Sequence, residues 1–379
     1  MTINRCRVCG NEVFREPLLR YKNMPKGAQY LPDISSLKED VGVDLEVFQC
    51  SGCGLVQLSN DPVPYYREVI RATAVSKEMT EFRKRQFSRF VREYSLEGKK
   101  ILEIGCGRGE YLSLMKDAGT DAYGIEQSLD SVQYCRENEL SVSQGFIESP
   151  QDRVPGAPFH AFFILNYLEH LPDPNATFRG LYHNLAESAV GIVEVPNFDM
   201  ILQRKLFSEF IGDHLFYFTR DTLCSTLQRN GFEVLSCTVI WHDYILSAIV
   251  RKRSPLDISN FYNHQEHIKN EISAYLDRFD PGTVAIWGAG HQALAIISMM
   301  DLGKKIRYVV DSASFKQGKF TSATHVSIVP PDRLRSDPVN AIVVMAASYS
   351  DEVAGIIREK YDPAINIAIL RDYGLEIIT

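Results

Sequence analysis
Two cysteine pairs lie near the start of the chain. "CRVCG" supplies Cys6 and Cys9, and "CSGCG" supplies Cys50 and Cys53. Four thiolates suit tetrahedral zinc. Each pair is followed by glycine, as in a knuckle whose backbone amides approach the sulfurs. A closed four-thiolate site leaves no position for water or substrate, so the expected metal is structural. Its removal should unfold the N-terminal block. A redox dithiol and buried free cysteines are the competing readings. A redox C-x-x-C opens a helix in a thioredoxin-like fold, whereas "FQCSGCGLVQL" reads as strand, knuckle, strand. Cys106, Cys135, Cys224 and Cys237 stand singly and read as small core residues.

Glycines mark two further sites. In "ILEIGCGRGEYLSLM" an apolar run stops at Glu103, and Gly105, Gly107 and Gly109 follow at alternate positions. Glycine permits positive φ and close backbone approach. A helix starting near Glu110 presents free N–H groups, so the turn should hold a polar small molecule. A dinucleotide site reads G-x-G-x-x-G, and this turn does not. Downstream, "GAGHQA" at Gly288–Ala293 fits G-x-G-x-x-A, and the next strand ends in Asp311. Alone, that pattern points to NAD.

The elements around these turns alternate. "KKILEIG", "DAYGIE", "HAFFILN" and "AVGIVEVP" read as strands, and "GEYLSLMKDAG", "LDSVQYCRENE" and "NATFRGLYHNL" as helices. Alternation of this kind builds a parallel sheet with helices on its faces. Three blocks are expected: 1–71 with the cysteines, 72–253 around the first glycine turn, and 254–379 around the second, with the basic "VRKRSP" at the second boundary. The chain has 379 residues and a formal charge of 41 − 48 = −7, with no long basic block. A nucleic-acid partner is therefore disfavoured. "FRKRQFSRFVRE" is locally basic, its apolar residues fall at helical spacing, and its charges read as a solvated helix face. No signal peptide is evident, and no apolar run approaches the roughly 20 residues of a membrane span. A cytoplasmic protein acting on a small molecule, with no membrane partner, is the simplest reading.

The E-x-G-x-G-x-G run from Glu103 to Gly109 resembles motif I of class I S-adenosylmethionine-dependent methyltransferases. That resemblance implies a Rossmann-like α/β domain with the cofactor lying over the turn and Glu103 acting on its amino acid portion. Glu126, beside Gln127, ends the second strand, where a carboxylate can accept from both ribose hydroxyls. The third strand ends near Gln144–Gly145, where the family contacts adenine. The fourth ends at Asn166, beside the cofactor.

The order of the blocks is more specific. A zinc module, a class I methyltransferase domain and a second Rossmann-like unit together resemble the sugar C-methyltransferase family. Its known members include enzymes that methylate C3 of nucleotide-linked 4-keto deoxysugars in antibiotic pathways. "WGAG" with "YVVDSASFKQGKF" is similar to that family's "WGAG…VD…KQGK" pattern, and "LEHLPDP" and "DHLFYFT" have counterparts there. The implied reaction is methyl transfer to carbon beside a ketone, which needs a base and a partner for the enolate oxygen. In the family a histidine in "E-H-L-x-Y-F" is the proposed base. The match falls on His214 in "IGDHLFYFT", with Asp213 in place of glutamate and Ile211 where the family often has tyrosine. His170, in "NYLEHLPD", is the second candidate, and His170 and Asp213 are expected to orient or assist. Tyr65 and Tyr66 lie where the family has a tyrosine near the substrate. Tyr217 is expected in the core with its hydroxyl bonded, and His242 and Asp243 in structural positions.

For the C-terminal unit the resemblance implies that Gly288, Gly290, Asp311 and Lys316 hold the nucleotide diphosphate at an inter-domain cleft, rather than NAD. The alternatives are an O- or N-methyltransferase on the same scaffold, a non-catalytic cofactor- or nucleotide-sugar-binding scaffold, and an NAD-dependent enzyme.

Overall fold
The computed structural model describes residues 4–28, 31–67 and 75–378. The chain divides into two compact units, Met1–Pro255 and Leu256–Thr379. The expected end of the cysteine block, near Arg71, lies outside the described residues.

The first unit is built on a seven-stranded sheet. In spatial order its strands are Phe232–Ile240, Ile245–Lys252, Leu185–Pro196, Phe159–Leu165, Lys100–Ile104, Asp121–Glu126 and Ser141–Gln144. The last five run parallel, and Ile245–Lys252 runs antiparallel to both its neighbours. The parallel strands are nearly continuous apolar runs because helices cover both faces. Phe162, Ile164, Val193 and Val195 enter one core; Ile101, Phe163, Val190 and Ile192 enter the other. Strand Lys100–Ile104 has Asp121–Glu126 on one side and Phe159–Leu165 on the other. The order reverses there, and sheets of this kind take ligands at that crevice, beyond the carboxyl ends of the strands.

One detail departs from the sequence reading. The basic helix, Lys77–Glu93, buries its apolar side through Phe87 and Phe90, but Arg83 is buried with them. The Arg83 Nη1 lies 2.5 Å from Glu194 Oε2, both side chains being fully enclosed. Gln86 and Ser247 also donate to Glu194 Oε1. Such a pair is tolerated inside a protein only where further hydrogen bonds help to offset its desolvation. In "VRKRSP", Val250–Lys252 complete a strand, and the Lys252 ammonium donates to Leu185 O at 3.0 Å. The break between units follows Pro255.

A four-stranded antiparallel sheet carries the cysteine block. Leu19–Met24, Val43–Gln49 and Val56–Leu58 are joined by a fourth strand from far along the chain, Phe216–Tyr217. Leu45, Val47 and Leu58 pack with Phe198, Phe210 and Tyr217. The cysteine block therefore shares its core with the unit that carries the first glycine turn.

The second unit has a six-stranded sheet in the order Ile328–Val329, Val309–Val310, Val284–Trp287, Ala341–Val344, Asn366–Leu370 and Leu375–Ile378. All neighbours are parallel except the last pair. Helices Ser259–Leu276, His291–Met299 and Ser350–Lys360 accompany it.

Candidate active site
The first glycine turn has the backbone its sequence requires. Gly105, Gly107 and Gly109 have φ of 67°, 54° and 79°, in the left-handed region. Gly109 also lacks room, since a Cβ there would meet Leu140 Cδ1 at 2.4 Å. Glu126 is buried at the end of the neighbouring strand and ties the crevice together. Its carboxylate accepts from the Gly107 N–H at 3.0 Å and the Ser128 N–H at 2.9 Å, and its carbonyl accepts from the Gly145 N–H at 2.9 Å. Gly105, Glu126, Gln127 and Gly145 line one narrow pocket, with Tyr167 on its wall. Gln144 is exposed at the rim and donates to the Gln127 carbonyl at 3.4 Å. Asn166 is exposed just past the fourth strand with φ of 49°, and Glu103 is buried within its own strand. Cys106 and Cys135 are buried as expected, but they are not isolated. Both sulfurs approach the Gly107 carbonyl, at 3.8 and 3.4 Å.

Arg67 closes the pocket rim and was not marked by any spacing in the sequence. Its guanidinium lies 2.7 Å from Glu148 Oε2 and over the rings of Tyr66 and Phe146. Its carbonyl accepts from Tyr167 Oη at 2.9 Å. Tyr66, expected on the substrate side, meets Phe146 edge-on at 6.0 Å and so stands by this pocket.

The two candidate histidines meet. Their ring centroids are 4.9 Å apart and edge-to-face. His170 follows the fourth strand in a short turn, Leu168–His170, and His214 precedes the strand Phe216–Tyr217. His170 Nδ1–H donates to the Asp213 carbonyl at 2.9 Å, which leaves its lone pair on Nε2. The Asp213 carboxylate points the other way. It accepts from the Ala28 N–H at 2.6 Å and from Tyr65 Oη at 2.8 Å. Ile211, where the family often has tyrosine, binds Tyr217 Oη through its own backbone. Tyr217 is thus in the core with its hydroxyl bonded.

Glu169 completes the cluster, and sequence reasoning missed it. It is buried, and its Oε1 lies 4.0 Å from His170 Nε2. Its only signal was the adjacent acid in "LEH", which reads equally well as a surface turn. Burial pushes the Glu169 carboxyl up to about 8. Burial, then the neighbouring His170, pushes His214 down to about 3, although part of its edge stays open. Burial also lowers His170, against the pull of the Asp213 carbonyl. Burial therefore favours the uncharged form of all three groups, leaving lone pairs on the imidazoles and a proton on the carboxyl.

The four N-terminal cysteines converge. Their sulfurs lie within 4.8 Å of one another, with Cys6–Cys53 at 3.7 Å and Cys9–Cys50 at 3.3 Å. A tetrahedron with about 2.3 Å metal–sulfur bonds needs edges of about 3.8 Å. Backbone amides support the sulfurs: Cys9 N donates to Cys6 Sγ, and Gly52 N and Cys53 N donate to Cys50 Sγ. The first knuckle is tied to the sheet by buried Gln57, which accepts from Arg7 N and donates to the Arg5 carbonyl, both at 3.0 Å.

The second glycine turn repeats the logic of the first. The Gly288 φ is 118°, and a Cβ there would meet the Met345 carbonyl at 2.5 Å. Gly290 has open space above it. Asp311 accepts from the Ala289 and Ala313 N–H groups and pairs with Lys316 Nζ at 2.9 Å. Burial alone would raise the Asp311 carboxyl, but Lys316 and the two amides hold it below the usual range. Lys316 is therefore engaged with Asp311 rather than standing free in its loop. His242 and Asp243 sit on the exposed turn between the two antiparallel strands, paired with Glu78 and Arg204.

The methyltransferase domain family matches residues 79–237, and the C-methyltransferase C-terminal domain family matches residues 253–364. The chain is an S-adenosylmethionine-dependent methyltransferase. Its pairing of the two domains supports a place in the C-methyltransferase family. The C-methyltransferase NovU of Streptomyces niveus is 22% identical over 388 residues, covering 93% of this methyltransferase and 91% of NovU. A ubiquinone biosynthesis O-methyltransferase of Methylococcus capsulatus is 38% identical, but over 86 residues, which are 36% of its length. Among solved structures, the PH0226 protein of Pyrococcus horikoshii OT3 overlaps 50% of the methyltransferase at 15% identity, with a TM-score of 0.41. No helix among the described residues is long and apolar enough to cross a membrane.

The buried acid gives the methyltransferase a pH signature. The Glu169 carboxyl is raised from 4.5 to about 8 in the folded enzyme. The folded state thus binds that proton more tightly. The resulting stabilisation is complete below about pH 4 and is lost as pH rises through 8. Urea unfolding at pH 5 and pH 8.5 should show wild type losing stability relative to Glu169→Gln by about 1 kcal/mol or more. Parallel behaviour of the two proteins would contradict a buried, protonated Glu169.

Proposed function
We propose that the enzyme transfers methyl to carbon beside the ketone of a nucleotide-linked keto deoxysugar. The observation that carries this reading is the edge-to-face contact of His170 and His214 beside buried Glu169, at the carboxyl end of the sheet. The likeness to a C-methyltransferase along nearly the whole chain supports it. Gly105, Gly107 and Gly109 cradle the cofactor, Glu126 and Gln127 take its ribose, Gln144–Gly145 its base, and Glu103 and Asn166 its amino acid end. Bound S-adenosylmethionine supplies an electrophilic methyl.

His214 removes the proton from the carbon beside the ketone. Its neighbour His170, fixed by the Asp213 carbonyl, orients it. Glu169 keeps its proton and offers a donor to the developing enolate oxygen. Asp213 sets the position of this segment through Tyr65 and Ala28. The turn at Gly288–Gly290, with Asp311 and Lys316, takes the nucleotide. The four N-terminal cysteines, none of them in a disulfide, hold a structural zinc, which suits the reducing cytoplasm. Ile211 in place of tyrosine favours a second reading, methylation of a hydroxyl or amine with His214 as the same base.

Zinc is read directly by elemental analysis of purified protein. One zinc per chain is expected, lost in Cys50→Ser along with protease resistance of the N-terminal block; a metal-free protein with an intact block refutes the assignment. The reaction is read in D2O with a 4-keto deoxysugar nucleotide and labelled cofactor. The expected result is a carbon-bound methyl and exchange of the α-hydrogen, both reduced about 100-fold or more in His214→Ala. Methyl found only on oxygen or nitrogen selects the second reading.

A further inference from the structure
Among the described residues two clusters gather three or more metal-ligating side chains: the four cysteines, and the trio Glu169, His170 and His214. The trio has the make-up of a second metal site. It offers one carboxylate oxygen and two imidazole nitrogens, all within 4.8 Å of one another. Three atoms so spaced share a point within 4.8/√3, about 2.8 Å, of each. Bonds from zinc to nitrogen or oxygen are about 2.0–2.2 Å, so closure asks less than about 1 Å of each donor.

The trio is already braced as a ligand set. His170 Nδ1–H donates to the Asp213 carbonyl at 2.9 Å, which leaves the lone pair on Nε2, 4.0 Å from Glu169 Oε1. Metal-bound histidines are held this way, with the second ring nitrogen on a carbonyl or carboxylate. The Leu215 N–H donates to the Glu169 carbonyl at 2.9 Å, so the two segments that supply the ligands are bonded to each other twice. Glu169 is 1% exposed, and its Oε2 is enclosed with no hydrogen-bond partner. A buried oxygen in that state is costly, and an ion beside it supplies the missing partner. His214 is only partly buried, and its open edge gives an ion a way in.

The donors select the ion. Magnesium and calcium take oxygen ligands, whereas two imidazoles with one carboxylate suit zinc and its divalent neighbours. We propose that Glu169, His170 and His214 form a site for a divalent ion of the zinc class, separate from the four cysteines, and that filling it switches methyl transfer off. The site stands on its own geometry; its effect on catalysis rests on the proposed function. There His214 takes the proton of the substrate, and a lone pair engaged by metal cannot. Coordination also uses Glu169 as carboxylate, so its proton leaves to solvent and the donor to the enolate oxygen is lost. Three protein ligands leave a further position for water.

Cobalt(II) is the probe, added to full-length enzyme whose four-cysteine site is loaded with zinc. Cobalt-edge X-ray absorption reads only the added ion and needs no variant. The expected result is one cobalt per chain, with two imidazoles, oxygen donors and no sulfur around it. Sulfur around the cobalt, fewer than two imidazoles, or no bound cobalt overturns the site. Glu169→Gln should weaken cobalt binding about tenfold or more; affinity equal to wild type overturns the place of Glu169 in it. With a 4-keto deoxysugar nucleotide, filling the site with zinc should cut the rate about tenfold or more, and a chelator that leaves the cysteine zinc in place should restore it. A rate unchanged or raised with the site full overturns the switch. If wild type methylates no sugar in a panel of keto and hydroxy nucleotide sugars, the proposed function fails, and the cobalt spectrum still decides the site.

Discussion
The two-residue strand Phe216–Tyr217 is the constraint on which the site depends. It is the edge of the cysteine-block sheet, paired with Val56–Gln57. One residue earlier, Leu215 receives the Leu58 N–H on its carbonyl and gives its own N–H to the Glu169 carbonyl, each at 2.9 Å. Asp213 and His214 therefore sit between the cysteine-block sheet and the turn that carries Glu169 and His170. Neither layer alone fixes the histidine pair. A buried polar cluster needs this kind of support, because small shifts would leave its groups unsatisfied in a low dielectric.

The same tie appears at both glycine turns. In each unit an acid at the end of the second strand reaches back to an amide in the turn after the first: Glu126 to Gly107, Asp311 to Ala289. The amide is one of the donors that a strand-to-helix turn leaves unpaired. The carboxylate thereby fixes the turn. In the second unit Lys316 also pairs with Asp311.

The fold was legible where the sequence repeats a physical pattern. The glycine turns, the acids ending the second strands and the apolar strand runs carry their own geometry, and the strands and helices fall where these patterns place them. The converging cysteines were equally plain, since C-x-x-C spacing brings two sulfurs together locally. What stayed hidden was tertiary. A strand of two residues has no periodicity to read. Arg83 looks like any cation on a basic helix, and only its partner Glu194, on a distant strand, explains its burial. Glu169 resembles a surface acid until the turn is seen packed under Leu215. Arg67 reaches the pocket beside the first glycine turn only because the chain folds back over Phe146. The contact between His170 and His214 likewise depends on the pairing of two layers.

The most direct measurement of this support is amide hydrogen exchange across the full chain, before and after thiol-selective removal of the proposed N-terminal zinc. The account predicts that protection at 55–58 and 211–218 falls together, while 100–126 stays protected. Unchanged exchange at 211–218 after the knuckles open would contradict the claim that the cysteine block holds the segment of Asp213 and His214 in place.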